Sequence, residues 1–194
     1  MTDKTITVVT GFTRCGTTLM MRMLHAGGIQ PYAETLYGYE TNEAIGLPAN
    51  HKWIEKVHGM AVKILEPLHH IPPRGFDYRF ILMVRNPKEQ AKSQIKFIRA
   101  AGQPVNDSRD VRRRLQASLE NDLPKMIRLL QGYHCPLLIV RFEDLIKQPL
   151  AQAMRVSEFC KGLNYESMAQ QVQERQPDCL PYLMELSMIA GIRS

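Results

Sequence analysis

The chain has 194 residues, a length that suits a single domain with a substantial core, and we expect one domain over residues 1–194. Hydrophobic residues make up 44% and charged residues 23%, close to the globular average, which excludes a disordered or fibrous chain. The formal net charge of +6 favours an anionic ligand. Because the basic residues are scattered and not interleaved with aromatic ones, we expect no specific nucleic-acid partner.

The cysteines and histidines do not indicate a metal site. The four cysteines lack C-x-x-C spacing, and His25 and the pair His69 and His70 lack a third ligand at a suitable spacing. No apolar run has membrane-spanning length, and no cleavable apolar segment follows Met1. We therefore expect a cytoplasmic protein with reduced thiols, no metal and no membrane contact.

The first half of the chain predicts two strands and a helix separated by a long loop. Residues 5–10 are rich in β-branched side chains and end at a glycine, which is typical of a buried parallel strand. A helix is predicted over residues 17–26, followed by a loop over residues 28–50. A short helix at about residues 51–58 then leads into a second strand over residues 60–65.

The second half repeats this alternation. Residues 79–84 predict a third strand, and a helix follows from Pro87 to about residue 100. Ser108 can cap a long helix with apolar side chains at every third or fourth position, in which Pro124 is a point where the helix can kink. Residues 136–142 predict a fourth strand, and two or three helices complete the chain.

Alternating strands and helices predict an α/β fold. We expect a three-layer sandwich around a central parallel sheet of about four to five strands, similar to the P-loop NTPases. A ligand of such a sheet binds at the carboxyl ends of the strands. The functional residues are therefore expected just after the predicted strands.

A glycine-rich turn follows the first strand. Its pattern, Gly11-x-x-x-x-Gly16-Thr17-Thr18, has the spacing of a phosphate-binding P-loop, with Thr17 where an ATPase has lysine. The amides of such a loop and the positive end of the next helix still bind an anion without that lysine. We expect Arg14 to supply the positive charge, although a turn of this kind can also be purely structural.

Residues 13–19 resemble a motif of the PAPS-dependent sulfotransferases. That family binds the 5′-phosphosulfate of 3′-phosphoadenosine 5′-phosphosulfate (PAPS) with a Pro-Arg/Lys-Ser-Gly-Thr-Thr-Leu loop. The resemblance implies that the donor is held by Thr13, Arg14, Cys15, Gly16, Thr17 and Thr18. Thr13 replaces the usual proline and Cys15 the usual serine, so one hydroxyl donor is lost while the backbone amide remains.

A second match lies after the third strand. In sulfotransferases, an arginine at a strand end and a serine eight residues later bind the 3′-phosphate of the donor, and Arg85 and Ser93 have these types and this spacing. A surface arginine and an exposed helix serine are the structural alternative. A third match, residues 140–145 with Pro149, resembles the family's Tyr/Phe-Glu-Asp-Leu segment, for which we expect a structural role.

The catalytic base is predicted from the same resemblance. The cytosolic branch has a histidine base after its second strand, but here Leu65 stands at that position, while Lys63 is retained and is expected to contact the sulfuryl oxygens. The protein-tyrosine branch has a glutamate after the first helix, and Glu34 lies at the matching distance. The resemblance therefore favours the glutamate-base branch. Glu66, Glu40 and His69 are the alternatives.

The resemblance thus implies a PAPS-dependent sulfotransferase that moves a sulfuryl group in line to a hydroxyl or amine, with catalytic residues Glu34, Arg14 and Lys63. A small Mg²⁺-dependent P-loop kinase and a noncatalytic binder of PAPS or its product PAP are the alternatives. The acceptor, whether carbohydrate, peptide or small molecule, is not specified by any motif. The oligomeric state is not predicted.

Overall fold

The central sheet has five strands that are all parallel. The computed structural model describes residues 4–34, 39–100 and 102–172. The strands lie in the order β2-β3-β1-β4-β5 and every neighbouring pair is parallel. Their bounds are β1 Ile6–Gly11, β2 Pro31–Tyr32, β3 Ala61–Leu65, β4 Tyr78–Val84 and β5 Leu137–Arg141. This confirms the predicted parallel α/β sheet.

Helices cover both faces of the sheet. Their bounds are α1 Thr17–Ala26, α2 Asn42–Ile45, α3 Pro87–Ala100, α4 Arg109–Gln131, α5 Phe142–Lys147, α6 Pro149–Phe159 and α7 Tyr165–Ala169, with a 3-10 helix at Lys52–Lys56. Side chains of α3 and α4 share one core with alternate strand residues, and those of α1, α6 and α7 share the other. All six residues of β1 are buried because this central strand is covered on both faces. The three-layer sandwich is confirmed.

The segment predicted as a loop differs in detail from the prediction. It contains the two-residue strand β2 and the four-residue helix α2, whose cap Thr41 accepts a hydrogen bond from the Glu43 amide. Elements this short carry too little periodicity to be predicted from sequence. At the other end, Phe142 begins α5 and does not extend the fourth predicted strand. Helix α4 runs through Pro124, and the predicted helices beyond residue 172 lie outside the described residues.

Parallel register brings the carboxyl ends of four strands together. Gly11 pairs with Leu65, and Val84 pairs with Arg141, while β1 and β4 are themselves neighbours. The segments that leave these strands therefore begin side by side at one edge of the sheet. Across the described part of the chain, none of the helices has the length and apolarity needed to cross a bilayer.

Candidate active site

The turn after β1 has the backbone of an anion-binding loop. Gly11, Arg14 and Gly16 have φ values of 148°, 66° and 102°. Gly16 caps α1 in the left-handed region, which a residue without Cβ adopts at low cost. These conformations turn the chain sharply from β1 into α1, so the first amides of α1 and the positive end of its dipole lie at this turn.

Thr13 ties the turn to two neighbouring segments. Its amide donates to Glu66 Oε1 over 2.8 Å, and its carbonyl accepts from Gln90 Nε2 at 2.8 Å and Gln94 Nε2 at 3.0 Å. Both glutamines are nearly fully buried. Their role was not predicted from the sequence, although two amide side chains one helical turn apart are typical of a helix that faces a polar loop. A proline at position 13 would have no amide to donate to Glu66.

Arg14 and Ser93, predicted from separate motifs, are in direct contact. Arg14 Nε donates to Ser93 Oγ over 3.4 Å, and its guanidinium carbon lies 5.2 Å from the centroid of the Phe97 ring. Ser93 and Phe97 are one turn apart on α3. The loop arginine is therefore held against α3 by one hydrogen bond and one cation–π contact.

Arg85 joins the loop to the segment after β5. Its Nη1 donates to the Arg14 carbonyl over 3.0 Å, and its guanidinium carbon lies 4.7 Å from the centroid of the Phe142 ring. Glu143 accepts from the Asn86 amide at 2.8 Å, which links the two strand ends. Arg85 and Phe142 also line a cavity of about 260 Å³. The two predicted phosphate-binding motifs are thus in direct contact.

Lys63 is a buried cation at the start of α1. It is 3% exposed, and its Nζ donates to Thr18 Oγ1 at 3.2 Å and to Glu40 Oε1 at 2.8 Å. Lys63 lies on β3 and pairs with Val9 of the central strand β1, so its ammonium reaches the start of α1 from the sheet. Arg14 and Lys63 therefore place two positive charges at the predicted phosphosulfate site.

Glu34 contacts a different part of the molecule. Its two carboxylate oxygens accept from the Asn42 amide at 2.9 Å and from Asn42 Nδ2 at 2.8 Å, at the start of α2. The Glu34 amide donates to the Glu40 carbonyl over 3.1 Å, so the two glutamates are neighbours in space. It is the Glu40 carboxylate that the structure brings to Lys63.

Glu66 and His69, the other two alternatives for the base, contact other parts of the molecule. Glu66 has a φ of 50° and accepts the Thr13 amide, which makes it part of the loop's support. His69 is exposed and lies near Asp122 on α4. The pKa of Asp122 is lowered mainly by a hydrogen bond from Lys125, and the charge of His69 adds to this effect.

Cys15 is a packing residue of the loop. Its side chain is 1% exposed, and burial raises the pKa of the thiol to about 12. It therefore remains protonated at neutral pH and is no nucleophile. Within the described ranges, no three histidine, cysteine or acidic side chains are grouped so that they could hold a metal ion.

Two solved structures resemble this fold. The chain matches retinol dehydratase, solved with androsterone and inactive cofactor PAP, with a TM-score of 0.54 and 14% identity over 86% of this chain and 63% of that one. It also matches mouse sulfotransferase SULT7A1 complexed with PAP, with a TM-score of 0.50 and 13% identity over 92% of this chain and 70% of that one. The chain thus spans less than two thirds of the length of retinol dehydratase.

Sequence comparison identifies the family. No curated protein sequence matches the chain. The model of the sulfotransferase domain matches residues 4–178, which include the loop after β1, the arginine after β4 and the segment after β5. Together with the geometry of these three segments, this match shows that the chain belongs to the sulfotransferase domain family.

Proposed function

We propose that this protein is a PAPS-dependent sulfotransferase, cytoplasmic and independent of metal, which transfers a sulfuryl group to a hydroxyl or amine. The observation that carries the proposal is the contact between Arg14 and Ser93, together with the hydrogen bond from Arg85 to the Arg14 carbonyl. Two motifs that are distant in sequence are in contact there and bring two arginines together, which supports a ligand with two phosphate groups.

The loop after β1 would hold the 5′-phosphosulfate. Helix α1 begins at Thr17, directly after Gly16, so its first backbone amides and the hydroxyl groups of Thr17 and Thr18 would face this ligand. Arg14 would stabilise the negative charge of the leaving phosphate, and Thr13 and Cys15 shape the loop around it. Lys63 donates to Thr18 and would reach the sulfuryl oxygens from the same point.

The 3′-phosphate would bind between Arg85 and Ser93. The Arg85 guanidinium is held from two sides, by the Arg14 carbonyl and by the Phe142 ring, so its orientation is set before a ligand arrives. A guanidinium that is oriented in advance loses little entropy when it binds phosphate through paired hydrogen bonds. Ser93 would add one hydroxyl donor.

The transfer needs a group that takes the acceptor's proton. The acceptor oxygen or nitrogen forms a bond to sulfur while the bond from sulfur to the 5′-phosphate oxygen breaks, and that oxygen keeps the electron pair. Glu34 is the base that the family resemblance implies, and Glu40 is its spatial neighbour. The acceptor itself, whether a carbohydrate, a peptide or a small molecule, would enter from the side of these two glutamates.

Calorimetry with PAP tests the donor site. We expect the wild type to bind PAP without added Mg²⁺ and Arg85→Ala to bind at least about tenfold more weakly, because a charge-assisted contact is lost. Arg113→Ala is the control, since it removes the same charge from an 81% exposed side chain on α4. A wild type that does not bind PAP, or an Arg85→Ala variant that binds as the wild type does, contradicts the proposal.

A screen for the acceptor tests the reaction. Phenols, alcohols, primary amines and simple sugars are incubated with the protein and PAPS, and mass spectrometry detects the mass increase of one added sulfuryl group. Sulfation of one class supports the transferase. PAP binding with no release of PAP from PAPS under any condition supports a noncatalytic binder instead, and Mg²⁺-dependent ATP binding supports a kinase.

A further inference from the structure

Glu40 is the carboxylate that lies against the cation of the donor site. Its Oε1 is 2.8 Å from Lys63 Nζ, and the same ammonium donates to Thr18 Oγ1 at 3.2 Å. The Lys63 side chain is 1% exposed whereas that of Glu40 is 66% exposed. The ion pair therefore has a buried end at the loop and an open end that a molecule from solvent can approach.

The fold holds Glu40 in this position from two sides. Tyr39, the preceding residue, is 5% exposed, has a φ of 54°, and places its hydroxyl 3.3 Å from His25 Nδ1 on α1. The Glu40 carbonyl accepts from the Glu34 amide at 3.1 Å. The Tyr39 side chain anchors the backbone next to Glu40 to α1. Because α1 also carries Thr18, the Glu40 carboxylate is held beside the loop.

Neighbouring glutamates contact other partners. The Glu34 carboxylate accepts two hydrogen bonds from Asn42, and Glu66 accepts the Thr13 amide. Glu43 accepts a short hydrogen bond from the Tyr32 hydroxyl. Each of these contacts supports the local backbone or packing, and none of them involves Lys63 or Thr18. The contacts of Glu40 differ because they lead directly to the donor site.

We propose that Glu40, and not Glu34, is the catalytic residue that takes the proton from the acceptor. This inference rests on the proposed sulfotransferase activity. The O–H or N–H bond of the acceptor breaks and its proton passes to the Glu40 carboxylate, while the acceptor atom forms its bond to sulfur. The bond from sulfur to the 5′-phosphate oxygen breaks, and its electron pair stays on PAP.

Lys63 couples this step to the donor. In the donor-free protein its ammonium orients the Glu40 carboxylate beside Thr18, where the phosphosulfate is expected. The ammonium contacts both the Glu40 carboxylate and Thr18, so one buried charge would face the base and the sulfuryl oxygens once the donor is bound. Glu40 would then be within reach of an acceptor in line with the donor.

Two matched variants test the assignment. Glu40→Gln and Glu34→Gln are compared with the wild type for PAP binding by calorimetry and for release of PAP from PAPS, in water and with the acceptor found by the screen. In Glu40→Gln we expect turnover to fall about 10²-fold or more, the size of a lost general base, with PAP affinity within about threefold of the wild type. Glu34→Gln is the competing case, because a loss of this size in Glu34→Gln, with turnover retained in Glu40→Gln, assigns the base to Glu34.

The outcomes separate this assignment from the proposed function. Glu40→Gln that binds PAP and keeps wild-type turnover overturns the role of Glu40, as does a large loss of turnover in Glu34→Gln alone, and both results leave the sulfotransferase in place. If Glu40→Gln loses PAP affinity and turnover together, Glu40 supports donor binding and the assignment as base is also overturned. A wild type that neither binds PAP nor consumes PAPS contradicts the proposed function itself.

Discussion

Gly16 shows how closely the loop after β1 is packed. Its φ of 102° lies in the left-handed region, and a Cβ built on it would stand 2.5 Å from Cδ2 of Phe142. The glycine therefore serves two purposes: it allows the loop to turn into α1, and it lets the loop approach the segment after β5. Because Phe142 approaches Gly16 so closely, its contact partner Arg85 also lies close to the loop.

A comparison of two glycine substitutions separates these effects. Gly28 has a φ of 111°, but nothing lies within 4 Å of the Cβ position there. Both Gly16→Ala and Gly28→Ala place a side chain in the left-handed region, at a cost of roughly 1–2 kcal/mol. We expect Gly16→Ala to lose a further 1–3 kcal/mol or so in the free energy of unfolding because Phe142 is overpacked.

Urea unfolding of the two variants measures this difference, and PAP calorimetry shows whether the loop still binds. Gly16→Ala is expected to weaken PAP binding, whereas Gly28→Ala is expected to leave it unchanged. Equal losses of stability in both variants would contradict the close approach of Phe142.

Among the helices and strands, α3 supports the loop after β1. Gln90 and Gln94 donate to the Thr13 carbonyl, Gln94 also donates to Thr13 Oγ1 at 3.0 Å, and Ser93 accepts from Arg14. These contacts come from one stretch of the helix that begins at Pro87. A loop with unusual φ values keeps its shape when such neighbours hold its backbone.

Removal of the two amides is expected to loosen the loop. In Gln90→Ala with Gln94→Ala, the Thr13 carbonyl loses both donors, at a cost of about 1–3 kcal/mol in the free energy of unfolding. We expect PAP binding to weaken by about tenfold. The loop would then have to be ordered when PAP binds, and this ordering reduces the binding free energy.

Calorimetry measures the affinity for PAP, and urea unfolding measures the free energy of unfolding. Gln116→Ala is the control, since it removes the same kind of side chain from α4, where the Gln116 amide donates to Glu120 at 2.8 Å and not to Thr13. PAP affinity that is unchanged in the double variant would show that the loop holds its shape without α3.

At the scale of the whole molecule, burial of ionisable groups makes stability depend on alkaline pH. Burial raises the pKa of the Cys15 thiol from 9.0 to about 12, and burial likewise raises the pKa of Tyr78. The unfolded chain ionises these groups at lower pH than the folded chain does. Their contribution to stability is therefore complete below the unfolded pKa and is lost as the pH rises through the folded pKa.

A substitution can separate the contribution of the Cys15 thiol to this pH dependence from that of Tyr78. Cys15→Ser removes a titrating group that serine does not replace, so the difference in unfolding free energy between wild type and variant should shrink above pH 9.0, up to about 12. The slope of this difference is expected to approach about 1.4 kcal/mol per pH unit. Urea unfolding at several pH values measures it, and parallel curves for the two proteins would contradict a buried, protonated Cys15.

The sequence by itself determined the elements that depend on neighbours along the chain. The buried run of β1, the turn from Gly11 to Thr18 and the start of α3 at Pro87 are local patterns, so they were predictable from periodicity and turn chemistry. The family resemblance was likewise readable, because residues 13–19 and the spacing of Arg85 and Ser93 are properties of the sequence alone.

Tertiary structure alone decided the contacts between distant residues. Arg14 meets Ser93 across 79 positions, and Lys63 meets Glu40 across 23, because the parallel register aligns the strand ends and α1 anchors Tyr39. The spacing after the first helix favoured Glu34, but it carries no information on which of these two exposed glutamates contacts Lys63. Which carboxylate contacts the buried lysine follows from packing and long-range pairing.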